Sequence, residues 1–197
     1  PQLSSKKEEF ANEFHRLRKR KGVNLAQAKK KIQEPVYFAT MLLHKNIVDG
    51  VVSGARHPTA HTLMPALQII KCKKGLKKVS GVSIIPYQKR PIFFSDTAVQ
   101  ISPNKNDLAE IAMESAKTAQ SFNIKPKVAL LSFSTHGSAH HEKIDKIKSA
   151  LKIIKRKMPK LTVDGEIQTD AALIPRVADI KSKSLKIKGD ANVLIFP

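Results

Sequence analysis

An α/β fold, a mostly parallel sheet flanked by helices, is the class this sequence predicts, and three observations predict it. Apolar strand-like runs alternate along the chain with segments whose apolar residues recur at helical spacing. At 197 residues and 41% hydrophobic composition, the chain is long enough for one good-sized domain or two small ones with a real core. No internal repeat or low-complexity linker interrupts that alternation.

Residues 5–21 read as the first helix, because Phe10, Phe14 and Leu17 recur at helical spacing and Gly22 supplies a stop. At about 100° per residue, Arg18 falls beside Phe14 while Arg16, Lys19 and Arg20 point away. Lys21 faces the same way as Arg18 but sits at the fraying end. A second helix is predicted over 25–32, and a third starts at Pro35, a favoured first helical position, and runs towards His44. "IVDGVVSGA" (47–55) reads as a buried strand leading to a Gly turn. Residues 56–75 then read as a loop and a helix, with Thr59 and Thr62 as candidate N-caps and Pro65 tolerable in the first turn.

Two strands, "VSGVSIIPY" and "PIFFSD", are joined by the basic turn "QKR". Leu108, Ile111, Ala112, Ser115, Ala116 and Ala119 mark an amphipathic helix. "KVALLSF" (127–133) is the next strand, and Ile144, Ile147, Leu151 and Ile154 mark the helix after it. "DGEIQTDAALIPRVADI" (164–180) reads as a turn and a helix, and "ANVLIFP" (191–197) as a final apolar strand. In open α/β sheets the chemistry gathers outside the carboxyl ends of the strands, so the loops after them draw attention first.

Composition narrows the function. No segment approaches the eighteen or so apolar residues of a membrane span, and the start "PQLSSKKEEF" has no apolar h-region, so a soluble cytoplasmic chain is expected. The single cysteine, Cys72, cannot form an internal disulfide, and the lack of Cys pairs argues against a cysteine zinc site. The 36 Lys and Arg against 16 Asp and Glu give +20, which invites a polyanionic partner. With 5% aromatics, no Trp and no recognisable nucleic-acid module, a nucleic-acid partner is not the leading expectation. A solvated basic surface and a phosphorylated small ligand both fit the charge.

Three polar stretches follow apolar runs. "LSFSTHGSAHH" (131–141) follows one predicted strand and precedes a helix, where backbone N–H groups, hydroxyls and a close-approaching Gly137 can hold an anion such as phosphate. A nucleophile elbow is excluded, because Ser134 and Ser138 lack the flanking glycines of G-x-S-x-G. His136, His140 and His141 lack H-E-x-x-H and a third ligand, so a metal is not expected. A plain polar turn stays open. In "DGVVSGARHPTAHT" (49–62) small and hydroxylic residues again follow a strand-like run, and a simple turn with surface histidines is the competing reading. In "DGEIQTDAA" (164–172), Asp164, Glu166 and Asp170 read as a base, a metal site or helix caps.

Taken in order, "DGVVSGARHPTAHTLMPALQIIK", "FFSDTAVQISPNKNDLAEIA", "VALLSFSTHGSAHH" and "VDGEIQTDAALIPRVA" through "ANVLIFP" resemble the phosphate acetyltransferases (phosphotransacetylases) and their phosphate butyryltransferase relatives. "EFHRLRKRKGVNLAQAKKKIQEPVYFATMLLHKNIVDG" follows the same pattern, so the likeness covers nearly the whole chain. The resemblance implies a two-domain phosphotransacetylase-like fold (isocitrate dehydrogenase-like), usually in a homodimer. It implies 1–72 as a remnant of the first α/β domain, 73–190 as the second, and 191–197 as a strand returning to the first. It also implies reversible acetyl transfer between acetyl-CoA and inorganic phosphate, giving acetyl phosphate and CoA, with coenzyme A a substrate and no bound cofactor or metal.

By the same resemblance Ser134, Thr135, His136, Gly137 and Ser138 line the phosphate end of the site. Ser53, Gly54, His57 and Thr59 sit opposite, and Arg18 is directed towards coenzyme A. The family usually has arginine at Met64, serine or threonine at Pro58, aspartate at His61 and lysine at His136. Met64 offers neither charge nor donor to a phosphorylated ligand. The family is longer at both ends, and the residues it assigns to catalysis fall beyond the equivalent of Pro197, so residues 1–197 are expected to be an incomplete catalyst. Two other functions are compatible with the residues: an acyl-CoA or acyl phosphate sensing module without catalysis, and nucleic-acid binding through the basic surface.

Overall fold

A computed structural model describes residues 4–197, which divide into two units after Gly75. Among its described residues the first unit is helical. Helices α1 (Lys7–Arg18), α2 (Leu25–Ile32) and α3 (Pro35–His44) pack around Phe10, Phe14, Ile32, Tyr37 and Met41, all buried. The Phe14 ring meets Tyr37 edge-on at 5.5 Å. Gly22, at φ +82°, ends the helical turn that follows α1. Asn24 then caps α2 reciprocally with Gln27 (2.8 and 2.9 Å).

Glu13 ties α1 to α3. It accepts two hydrogen bonds from Arg16 (2.8 and 2.7 Å) and lies 3.2 Å from His44 Nε2. The Arg16 hydrogen bonds, with help from His44 and against burial, lower its carboxyl to about 2. A depressed folded value stabilises above the ordinary value of 4.5 and is lost as pH falls through about 2. Glu13→Gln should therefore cost about 1 kcal/mol at pH 7, discounted because Arg16 is solvent-exposed. Urea midpoints of the two chains should converge between pH 4.5 and 2; a gap that persists below pH 2 would contradict this origin.

Two expectations for this unit are corrected. Residues 47–55 form no strand, and Val52 is fully exposed. A strand needs a neighbour for its backbone N–H and C=O groups, and no other strand is present among the described residues of this unit. Helix α4 (Thr59–Pro65) starts after Pro58, with Thr59 its first residue and no side-chain cap, so neither threonine caps it. Pro65 closes α4 instead of sitting in its first turn, and the chain widens into a π turn over Ala66–Ile70 beyond it.

The second unit carries a five-stranded sheet in the order β1-β2-β5-β3-β4. Strands β1 (Val82–Tyr87) and β2 (Arg90–Ser95) form an antiparallel hairpin at one edge. Strands β2, β5 (Val193–Ile195), β3 (Lys127–Leu131) and β4 (Thr162–Ile167) run parallel. The residues expected to lead back to the first domain thus supply a middle strand of this sheet. Val193 to Ile195 are buried there between β2 and β3, the setting a continuously apolar run requires.

The period of two in β3 and β5 divides the core. Val128, Leu130, Val193 and Ile195 face helices α5 (Lys105–Ser121) and α6 (Glu142–Lys157). Ala129, Leu131 and Leu194 face the other layer, with Ala171 and Ala172 of α7 (Thr169–Leu173) and Ala178 of α8 (Pro175–Lys181). The split into α7 and α8 was not expected; Pro175 starts a new helix because it cannot continue the previous one.

Strand β4 was also unexpected, since "DGE" reads as a turn. Its register against β3 slips: Ala129 faces Asp164 but Leu131 faces Ile167, so β4 holds one extra residue in a bulge. Val163 and Ile167, which a regular strand would put on one face, consequently enter opposite cores. A Cβ on Gly165 would lie 2.6 Å from Leu130 Cβ, so glycine is needed where the bulged strand crosses β3.

Candidate active site

The loop 132–141 leaves β3 at the carboxyl-terminal edge of the parallel strands, the edge where ligands gather in open α/β sheets. Ser134 and Thr135 are buried in it, whereas His136, Gly137 and Ser138 are exposed. His136 and Gly137 take positive φ (44° and 87°), turning the chain sharply. The Ser134 and Ser138 hydroxyls lie 3.0 Å apart, and Thr135 Oγ1 donates to Gln168 Oε1 (3.2 Å) while accepting from Gln168 N–H (3.0 Å). The loop therefore brings Ser134, Thr135, Gly137 and Ser138 into one hydroxyl-rich turn.

The backbone donors from Ser134 to Ala139 are already engaged. Thr135 N–H donates to Ser138 Oγ (3.1 Å), Ala139 N–H to Ser134 Oγ (3.1 Å) and Ser138 N–H to the Thr135 carbonyl (3.2 Å). His136 N–H donates to the Glu166 carbonyl (3.1 Å) and Gly137 N–H to the Glu166 carboxylate (2.6 Å). The expected cradle of open backbone N–H groups is thus filled from within. The start of α6 is occupied as well: His141 Nδ1 accepts from Lys143 N–H (3.1 Å), and Glu142 and Asp145 stand in the first turn, opposing an added anion.

Glu166 sits where an anion would. Its side chain is 1% exposed, and the oxygen that accepts from Gly137 lies 3.8 Å from Lys148 Nζ. The bulge in β4 re-aims Glu166 at this loop. Neither Glu166 nor Asp164 is a helix cap, contrary to one reading of the acidic stretch: both are buried in β4. Asp164 accepts from Gly165 N–H (2.9 Å) and Lys186 N–H (2.6 Å) and meets His136 Nε2 at 3.0 Å. Asp170 stands apart at the start of α7, where the Lys181 ammonium beside it lowers its carboxyl. Among the described residues no cluster of three or more His, Cys, Asp or Glu is arranged to hold a metal ion.

Sequence reasoning missed the contacts of Asp164, Glu166 and Lys148 with the loop. The available signal was two acids set between Val163 and Ile167, in a run otherwise apolar enough for a strand parallel to β3.

In the first unit, Ser53, Gly54 and His57 line a cavity of about 290 Å³ together with Pro35 and Val36. Ser53 Oγ lies 3.2 Å from Thr62 Oγ1. His57 also lines a cavity of about 440 Å³ with Tyr37, His61 and Met64. Thr59 is exposed at the start of α4 and lines neither. Arg18 ends α1 half-buried, with Arg16, Lys19 and Arg20 exposed around it, as its place beside Phe14 predicts. Its Nε is buried without a hydrogen-bond partner, and its charge reaches Tyr37, whose phenol burial pushes up and Arg18 pulls down.

The described residues include no helix long and apolar enough to cross a membrane. A family model described as phosphate acetyl/butaryl transferase matches residues 1–197. The chain is 51% identical over 190 residues to phosphate acetyltransferase from Bacillus subtilis (strain 168), covering 96% of this chain and 58% of that protein. It is 47% identical over 204 residues to phosphate acetyltransferase from Clostridium acetobutylicum, covering 100% and 61%. Among solved structures, EutD phosphotransacetylase from Staphylococcus aureus matches with a TM-score of 0.87 at 42% identity, over 100% of this chain and 61% of that one. A phosphotransacetylase from Streptococcus pyogenes matches with a TM-score of 0.89 at 41% identity, over 100% and 60%. The chain therefore spans about three fifths of the length of these relatives.

Proposed function

Because this chain belongs to the phosphate acetyl/butaryl transferase family, we propose that it supplies substrate-binding surfaces for reversible acetyl transfer between acetyl-CoA and inorganic phosphate, giving acetyl phosphate and CoA. The observation that carries this reading is the family match over residues 1–197, at 51% identity to a phosphate acetyltransferase. In such a reaction the coenzyme A thiolate attacks the acyl carbon, donors stabilise the developing oxyanion, and a polar cradle holds the phosphoryl group in line. Coenzyme A enters as substrate, and the chemistry requires no metal. We propose the same reaction for the whole protein as a cytoplasmic homodimer.

Within that reading, Ser134, Thr135, His136, Gly137 and Ser138 receive the phosphate end of acetyl phosphate. The exposed position of Ser138 and the Lys148 ammonium beside Gly137's acceptor support this. In the first unit, Ser53, Gly54, His57 and Thr59 are the residues proposed to bind substrate. Arg18 faces coenzyme A, a role that its unpartnered Nε supports, since a buried guanidinium donor is costly until an acceptor arrives.

Calorimetric titration of residues 1–197 with coenzyme A tests the reading. Saturable binding that Arg18→Ala weakens about tenfold or more is expected, the scale of a charge-assisted hydrogen bond. No saturable heat, or equal affinity in both chains, would overturn it.

A further inference from the structure

His136 does something that phosphate binding does not require. Its ring meets Asp164 Oδ1 through Nε2 at 3.0 Å, while Nδ1 faces Ser184 Oγ at 3.0 Å and, more distantly, Ser182 Oγ at 3.5 Å. These contacts span three separate segments: the loop after β3, strand β4, and the turn after α8.

Hydrogen-bond direction follows from the buried end. Asp164 is 5% exposed and already accepts from two backbone N–H groups, so it is the acceptor in its contact with the ring. Nε2 of the neutral ring then carries the proton and donates to it. Nδ1 is left with a lone pair, which accepts the Ser184 hydroxyl proton. Ser182 Oγ, 2.8 Å from Ser184 Oγ, can donate into the same chain. Exposure rises along it, from Asp164 through the His136 side chain at 23% to an exposed Ser184.

A hydroxyl on a base that a buried carboxylate orients is the arrangement of an activated nucleophile, recognised by geometry and not by sequence order. We infer that Ser184, His136 and Asp164 form a reactive site, which takes acyl or phosphonyl groups from small activated esters. The inference stands independently of phosphate binding by the loop. In the acyl case Ser184 Oγ attacks the ester carbonyl carbon as its proton passes to His136 Nδ1. The tetrahedral adduct collapses, the carbon–oxygen bond to the leaving alcohol breaks, and His136 returns the proton to that alcohol. Water, deprotonated by the same ring, then attacks the acyl carbon; the bond from that carbon to Ser184 Oγ breaks, the ring returns its proton to Ser184 Oγ, and the acid leaves. Ser184 faces solvent, so covalent modification with slow release is expected in place of fast turnover.

The test is exposure of the 197-residue chain to an alkyl fluorophosphonate, followed by intact-mass analysis and peptide mapping. Attack by Ser184 on phosphorus expels fluoride, and one phosphonyl group on Ser184 is expected. Ser184→Ala should abolish it, and His136→Gln should slow it about 100-fold, the contribution of a positioned general base. Should His136→Gln fail to fold, Ser121, an exposed serine whose hydroxyl donates to the Thr118 carbonyl, is the internal control. Absence of label on Ser184, labelling of Ser121 at an equal rate, or full-speed labelling of folded His136→Gln would each overturn the inference.

Discussion

Gly189→Ala should destabilise the second unit by about 3 kcal/mol or more, lowering its melting temperature by roughly 10 °C. Gly189 takes φ +72°, and a Cβ built on it would lie 2.2 Å from Pro175 N and 2.3 Å from the Ile174 carbonyl carbon. Both are backbone atoms at the start of α8, which no rotamer change can move aside. Relief requires the turn after α8 to lift away from that helix. The same turn carries Leu185 and Ile187, buried in the core of this face, and delivers Lys186 N–H to Asp164 at 2.6 Å. The substitution should therefore also loosen the loop 132–141 through Asp164 and His136. Differential scanning calorimetry and amide exchange at Lys186 check both effects, and a variant that melts within 2 °C or so of wild type would refute the steric account.

The alternation of strands and helices was legible in the second unit because α5 and α6 carry clear helical periods and β3 and β5 are short continuous apolar runs. Val128 and Leu130 face one layer and Ala129 and Leu131 the other, as a period of two dictates. The apolar run at 47–55 misled, since its pattern fits a strand but a strand is a property of two segments, and only one is present among the described residues of the first unit. Strand β4 hid because its acids are satisfied by contacts from other segments: Lys186 N–H and His136 for Asp164, Gly137 N–H and Lys148 for Glu166. No local pattern encodes those. For the site, the hydroxyl-rich loop and the helical face of Arg18 were readable from spacing alone. The carboxylate that fills the loop was not, because the bulge that aims Glu166 inward is a register effect between two strands.

That carboxylate leads to the second large expectation. Gly137 N–H donates to Glu166 at 2.6 Å, and Lys148 Nζ lies 3.8 Å from the same oxygen, so an N–H and an ammonium converge on one negative charge. A phosphate arriving at Gly137 meets that charge a few ångströms away. At an effective dielectric constant of about 20 the repulsion is on the order of 3 kcal/mol, reduced as the side chains relax. Glu166→Gln keeps the shape, removes the charge and leaves Lys148 free to pair with the ligand. Its affinity for acetyl phosphate should rise about tenfold, or about 1.4 kcal/mol.

The most direct test of substrate binding by this chain is calorimetric titration of residues 1–197, wild type and Glu166→Gln, with acetyl phosphate. Saturable binding to the wild type, tightened about tenfold in the variant, is the predicted result. An absence of saturable heat in both chains, or a variant that binds no better than wild type, would contradict the assignment of the 132–141 loop to the phosphate end of the substrate.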